Sequence, residues 1–302
     1  MLPDTRVRFL VCDVFTNRRF GGNQLAVVPE ASGLSDVQMQ QIAREFNFSE
    51  SAFVFPSVDD CTRRVRIFTP ATEVPFAGHP NVGTAFVLAS IGDLGEVGPR
   101  TVVTFDEKAG RVPVEIHRDG ADLRCVVTAP RLLSVDGEVD RTLVSAALSL
   151  TTDDIVTSTH PPQLASVGLP FVFVEVRDRD ALARARIDMG GFEAIRAIGV
   201  VPDIFLYARS DDGYDVRARM FAPFDGVPED PATGSAAACL GGLLSHYNEV
   251  ADGTLTWRIA QGVEMGRPSA LVAEADKTDG HVVATRVGGH SVLVCDGYML
   301  ID

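Results

Sequence analysis

Apolar and polar positions change period several times along the chain, and each change marks an element. From Val7 to Val28 two apolar stretches, RFLVCDVF and QLAVVP, flank the turn-rich TNRRFGGN, which predicts two adjacent strands. A helix is expected from residue 34 to 44, with Val37, Met39, Ile42 and Ala43 apolar and Ser35 as its N-cap. A short apolar strand over 52–55, a turn over 57–60 and an alternating strand over 62–68 follow; in the last, Arg64 and Arg66 face away from Val65 and Ile67. Residues 86–91 and 236–244 are apolar on all sides, so both segments must be buried helices. Strands over 102–105, 112–116 and 123–128 complete the first half, and 130–135 reads as a linker.

The two buried helices belong to a repeat. His79-Pro80-Asn81-Val82-Gly83-Thr84-Ala85 returns 151 positions later (230 − 79) as Asp230-Pro231-Ala232-Thr233-Gly234-Ser235-Ala236. Phe68-Thr69-Pro70 matches Phe221-Ala222-Pro223 at an offset of 153, GNQLAVV from Gly22 matches GLPFVFV from Gly168 at 146, and Gly110-Arg111 matches Gly266-Arg267 at 156. Order is kept while the offset drifts little, as a duplicated unit requires. The expected architecture is α+β: two pseudo-symmetric αβ domains, 1–129 and 130–302, each a curved, mostly antiparallel sheet around one central buried helix.

Composition narrows the partners. A net charge of −14 and a pI near 4.8 argue against nucleic acid, whose binders concentrate Lys and Arg on one face. With 46% hydrophobic residues, no apolar run near the ~20 residues that span a bilayer, and no basic-then-apolar leader, a soluble, cytoplasmic chain is expected. Five scattered cysteines read as reduced core residues. Metal-ligand, phosphate-loop and dinucleotide-binding spacings do not occur, so neither a zinc site nor a nucleotide cradle is expected.

Candidate chemistry gathers at the repeat motifs. Each puts a proline and a Gly-containing turn at a helix start, whose unpaired first-turn amides attract anions. If both helix starts face a cleft between the domains, a small carboxylate, or an enolate formed from one, is the natural ligand. The plain alternative is capping: Asp230 can serve as an N-cap, whereas His79 is a poor one. Glu50, in NFSESAF between Phe48 and Phe53, is the third candidate, because a carboxyl beside apolar rings is poorly solvated and its pKa rises toward neutrality. The repeat sets Pro202 opposite it (50 + 152), so Glu50 is read as an acid without a counterpart in the second half.

The segments GNQLAVV, NFSESAFVF, RIFTPATEVPFAGHPNVGTA, RMFAPFDGVPEDPATGSAAA and QGVEMGRPS, in this order and over nearly the whole chain, resemble the phenazine biosynthesis PhzF-like family, which has the diaminopimelate epimerase-like fold. That resemblance implies a cofactor-free, commonly homodimeric isomerase in which Glu50 shuttles a proton on a small carboxylate. By the same resemblance His79 and Asp230 are the motif histidine and aspartate, and Ser49, Gly78, Gly234 and Ser235 contact the ligand. Racemases of this fold use two thiols; neither helix start carries a cysteine here, which disfavours that mechanism. Two other readings stand beside the isomerase: a non-catalytic carboxylate-binding protein, and an acyl-transfer enzyme with Ser235 as nucleophile, His79 as base and Asp230 orienting it. The second lacks a GxSxG turn.

Overall fold

The computed structural model describes residues 5–57 and 59–301, so within the turn expected over 57–60 residue 58 lies outside the described residues. Two compact units emerge, Met1–Thr128 with Gly288–Asp302, and Ala129–Val287. The break after Thr128 falls beside the expected linker, but the last stretch departs from the expected 130–302 domain. Strand pairing is the reason: the C-terminal strand runs antiparallel along the N-terminal one from Thr5↔Ile301 to Val14↔Ser291, which ties it to the first unit.

The first unit contains β1 (Thr5–Val14), β2 (Asn23–Val28), α1 (Asp36–Phe46), β3 (Glu50–Phe55), β4 (Arg63–Phe68), β5 (Glu73–Val74), α2 (Gly78–Ser90), β6 (Arg100–Glu107), β7 (Gly110–Asp119) and β8 (Asp122–Thr128). Pairings run β1–β2 antiparallel, β2–β3 parallel, β3–β4 antiparallel, β4–β6 parallel, then β6–β7 and β7–β8 antiparallel. The C-terminal strand pairs with both β8 and β1 and closes the ring into a barrel. Parallel neighbours need a crossover, usually helical. Here α1 crosses from β2 to β3, with Ser35 and Gln38 forming a capping box at its start and Asn47 in the left-handed conformation at its end. The crossover from β4 to β6 is α2, whose residues Gly78 to Ala89 are all buried. Its apolar sequence places it at the centre of the barrel.

The second unit repeats this order. It contains β9 (Ser134–Glu138), α3 (Arg141–Ala147), β10 (Ile155–Val156), β11 (Gln163–Ser166), β12 (Pro170–Val176), α4 (Arg179–Arg184), α5 (Met189–Ala197), β13 (Ile204–Arg209), β14 (Val216–Ala222), β15 (Val227–Asp230), α6 (Gly234–His246), β16 (Gly253–Gln261) and β17 (Ser269–Thr278); β18 (His281–Ile301) begins in it and ends in the first. β11–β12 is antiparallel, β12–β13 parallel, β13–β14 antiparallel, β14–β16 parallel and β16–β17 antiparallel. This is the sequence of β1 to β7 without the short β5, so the duplication seen in the chain is one of topology. α6 takes the place of α2, buried from Gly234 to Ser245. On the other face α3 and α5 cross at Gly191, where a Cβ would lie 2.4 Å from the Ala147 Cα. Val144, Phe192, Ile195, Val172 and Leu206 pack into one core cluster there.

Register corrects the repeat in two places. α2 begins at Gly78 and α6 at Gly234, so Gly78-His79 corresponds to Gly234-Ser235, while Asp230 ends β15 four residues before its helix. Pro80 and Gly83 therefore lie inside α2 rather than ahead of it. Proline is tolerated in a first turn because an amide there has no intrahelical partner. The counterpart of Glu50 also moves. Glu50 pairs with Leu25 and Ser51 with Phe68, as Ile204 pairs with Phe221, which sets Asp203 and not Pro202 opposite Glu50. The first half's acid thus has an acidic counterpart.

Candidate active site

In the first unit the site is built on three chain segments. Glu50 opens β3 beside Leu25 of the parallel β2, Asn23 opens β2, and His79 is the second residue of α2. Glu50 Oε2 lies 3.3 Å from His79 Nδ1, with the Glu50 side chain 20% exposed and that of His79 only 4%. The carboxyl can meet a ligand; the imidazole meets the carboxyl. Burial pushes the His79 pKa down to about 3, against a weaker upward pull from the Gln24 backbone, so the ring is neutral at ordinary pH. Asn23 Nδ2 lies 3.4 Å from the same Nδ1, and Asn23 Oδ1 accepts from Ser49 Oγ at 3.5 Å. One amide thus links Ser49 to His79.

The expected apolar flank of Glu50 is only partly present. Residues three apart in a strand project to opposite faces, and Phe53 packs edge-on against Phe68, 5.3 Å between ring centres, in the cluster beneath α1. Phe48 stacks on Phe46 at 5.6 Å. Glu50 instead has the His79 imidazole beside its carboxyl.

In the second unit Asp230, Thr233, Gly234 and Ser235 lie along one turn of chain. The N-cap of α6 is Thr233, in extended conformation, so Asp230 is not the cap. Asp230 Oδ2 instead accepts from Thr233 Oγ1 at 2.5 Å. Gly234 and Ser235 form the first turn of α6, as Gly78 and His79 do in α2, and neither Ala77 nor Thr233 caps its helix through a side-chain hydrogen bond. Amides so placed favour a carboxylate.

Three residues were missed as site residues from sequence: Asn23, Thr233 and Gln261, the last joined to Asp230 O at 2.8 Å. Each stands inside a segment already noted, GNQLAVV, DPATGSA or QGVEMGRPS, but its part depends on contacts no spacing shows. Thiol chemistry has no support: burial pushes Cys125 up to about 12 and raises Cys12 and Cys239 further, so none is a thiolate base. Among the described residues no group of three or more His, Cys, Asp or Glu could hold a metal ion.

The phenazine biosynthesis-like protein family (PhzC-PhzF) matches residues 12–297. The chain belongs to this family. An uncharacterized isomerase of Mesorhizobium japonicum is 38% identical over 97% of this chain and 98% of its own. The trans-2,3-dihydro-3-hydroxyanthranilate isomerase of Pseudomonas aeruginosa is 35% identical over 96% and 98%. Among solved structures, a predicted epimerase of Pseudomonas aeruginosa has a TM-score of 0.80 at 33% identity, covering 98% of this chain and 100% of its own. A Bacillus anthracis PhzF-family protein reaches 0.89 at 24% identity, with the same coverage. A hydroxyproline epimerase from Agrobacterium vitis, at 14% identity and 0.66, covers 100% of this chain and 93% of its own, and shares the fold alone. The protein is thus an isomerase of the phenazine biosynthesis-like family with a diaminopimelate epimerase-like α+β fold.

Proposed function

We propose that this isomerase moves a proton on a small carboxylate substrate by acid/base catalysis, without a cofactor. The observation that carries the reading is the contact of Glu50 with a sealed, neutral His79. Glu50 breaks a C–H bond next to a conjugated system and takes the proton; the electron pair shifts through that system, and the proton returns at another carbon. Substrate and product then have the same composition, as an isomerase requires. The developing negative charge is met by donors fixed before the reaction, the first-turn amides of α2 and α6 and the Ser235 hydroxyl. His79, acting through Glu50, and Asp230 position the substrate and assist proton movement, with Ser49, Gly78 and Gly234 contacting it.

The relative that acts on trans-2,3-dihydro-3-hydroxyanthranilate, a cyclic carboxylate, supplies the first compound to assay. Glu50→Gln keeps the shape and removes the base. It should abolish deuterium uptake from heavy water into a substrate that the wild type exchanges. Full exchange in that variant refutes the assignment.

The same reading has the enzyme act in the cytoplasm as a homodimer. Five free cysteines support a reducing compartment, and no helix of the described residues is long and apolar enough to cross a membrane. Light scattering tests the dimer.

A further inference from the structure

The segment QGVEMGRPS, residues 261–269, has no part in the chemistry above, yet it encloses the Asp230 loop. Gln261 is fully buried at the end of β16. Its carboxamide can be oriented in only one way. The Thr233 backbone N–H can only donate, so the atom facing it at 3.1 Å is Gln261 Oε1; the Asp230 carbonyl can only accept, so the atom 2.8 Å from it is Nε2. The second Nε2 proton goes to Thr233 Oγ1 at 3.0 Å. That oxygen is thereby an acceptor, and its own proton turns to Asp230 Oδ2 at 2.5 Å.

Direction therefore passes from Gln261 through Thr233 to a carboxylate oxygen that must accept. The rest of the segment closes in behind. Ser269 Oγ reaches Pro231 O at 2.8 Å and Arg267 O at 3.1 Å. Gly262, at φ 73°, lies so close that a Cβ would come within 2.5 Å of both the Pro231 and the Arg267 carbonyl oxygens. Only glycine fits there.

We propose that Gln261, acting through the Thr233 hydroxyl, is a positioning residue that fixes Asp230 as an ionised acceptor for the reaction. The inference rests on the proposed role of Asp230, but its consequence for the Asp230 proton can be measured without any substrate. A hydrogen bond donated to a carboxylate favours the charged form, so removing it raises the pH at which the group titrates.

The test is a carbon-13 NMR titration of protein labelled at aspartate carboxyls, with Asp230→Asn assigning the resonance. Thr233→Val, nearly isosteric but without the hydroxyl, should raise the Asp230 midpoint by about one pH unit, a tenfold gain in proton affinity. Gln261→Leu should move it in the same direction, and Thr233→Ser should restore the wild-type midpoint. In deuterium exchange the acid limb of the rate profile should shift with the midpoint. An unmoved midpoint in Thr233→Val, which needs no change of volume to fold, overturns the inference. Exchange untouched by Asp230→Asn, with the midpoint still shifting in Thr233→Val, overturns the proposed role of Asp230 and leaves the Gln261 chain standing.

Discussion

Glu50 Oε2 stands 3.3 Å from His79 Nδ1, and only the carboxyl of the pair keeps appreciable surface exposed. At that distance a single proton can pass between the two groups. Since burial keeps the ring neutral, Nδ1 can either offer its proton to a carboxylate or accept one from a protonated Glu50. A pair able to hold its proton at either end can release and recover one during turnover.

His79→Gln should therefore cost catalysis more than binding. Positioned acid/base partners typically contribute about 10²–10⁴-fold in rate, and the exchange rate at saturating substrate is expected to fall within that range while the substrate dissociation constant changes less. Parallel measurement by NMR exchange and calorimetry checks the split. A variant that exchanges at the wild-type rate would remove His79 from the mechanism.

The buried imidazole also sets a pH dependence of stability. Its folded pKa of about 3 lies below the unfolded value of 6.5, so between these limits the unfolded chain binds the extra proton. Stability is then lost as pH falls from 6.5 toward 3, at up to about 1.4 kcal/mol per pH unit from this group. Urea denaturation at pH 7, 6 and 5 should show wild type losing ground to His79→Gln on acidification. A constant difference between the two proteins would contradict the neutral, sealed ring.

Two buried acids act with the opposite sign. Burial pushes Glu107 up to about 8, although Asn81 beside it pulls the other way, and pushes Asp203 up to about 7 with Asp225 adding to the rise. Each binds its proton more tightly folded than unfolded, so stability falls as pH rises through 4.5 to 8 for the first and 3.8 to 7 for the second. Glu107→Gln and Asp203→Asn should each be more stable than wild type at pH 8, with the gain shrinking by pH 5. Denaturation midpoints at the two values check it, and a gain independent of pH would argue against buried neutral acids.

Much of this was legible in the chain, and the failures have physical causes. α2 and α6 announce themselves because a helix apolar on every side has only an interior to occupy, and the repeated segments fix which strands are equivalent. The equivalence of single residues was not legible, because DPATGSA resembles HPNVGTA in letters, yet α2 starts one residue before His79 and α6 four residues after Asp230. Proline and glycine suit a first turn and a preceding loop equally well, so they cannot mark the boundary. Nor could alternation show that β18 leaves the second unit, since its 21 residues run on without a break. Glu50, His79 and Asp230 were singled out because unusual side chains stood in the repeated motifs and beside apolar rings. Gln261 lies in an ordinary β-strand, and only its partners distinguish it.

Gly262 offers the sharpest separation of two effects that glycine substitutions usually mix. Gly262 and Gly280 both have left-handed backbones, at φ 73° and 80°, but a Cβ at Gly280 would meet nothing within 4 Å, whereas one at Gly262 would strike two carbonyl oxygens at 2.5 Å. Gly280→Ala should therefore cost only the left-handed penalty, about 1–2 kcal/mol. Gly262→Ala adds the cost of forcing apart a packed backbone, a further ~1–3 kcal/mol, because neither oxygen belongs to a side chain that can turn away. Relief can come only by moving Pro231 or Arg267, and moving Pro231 carries Asp230 with it. Urea denaturation should rank Gly262→Ala below Gly280→Ala, and only Gly262→Ala should shift the Asp230 carboxyl resonance. Equal losses in the two variants would mean that the Asp230 loop yields without strain and is not held from behind by residues 261–269.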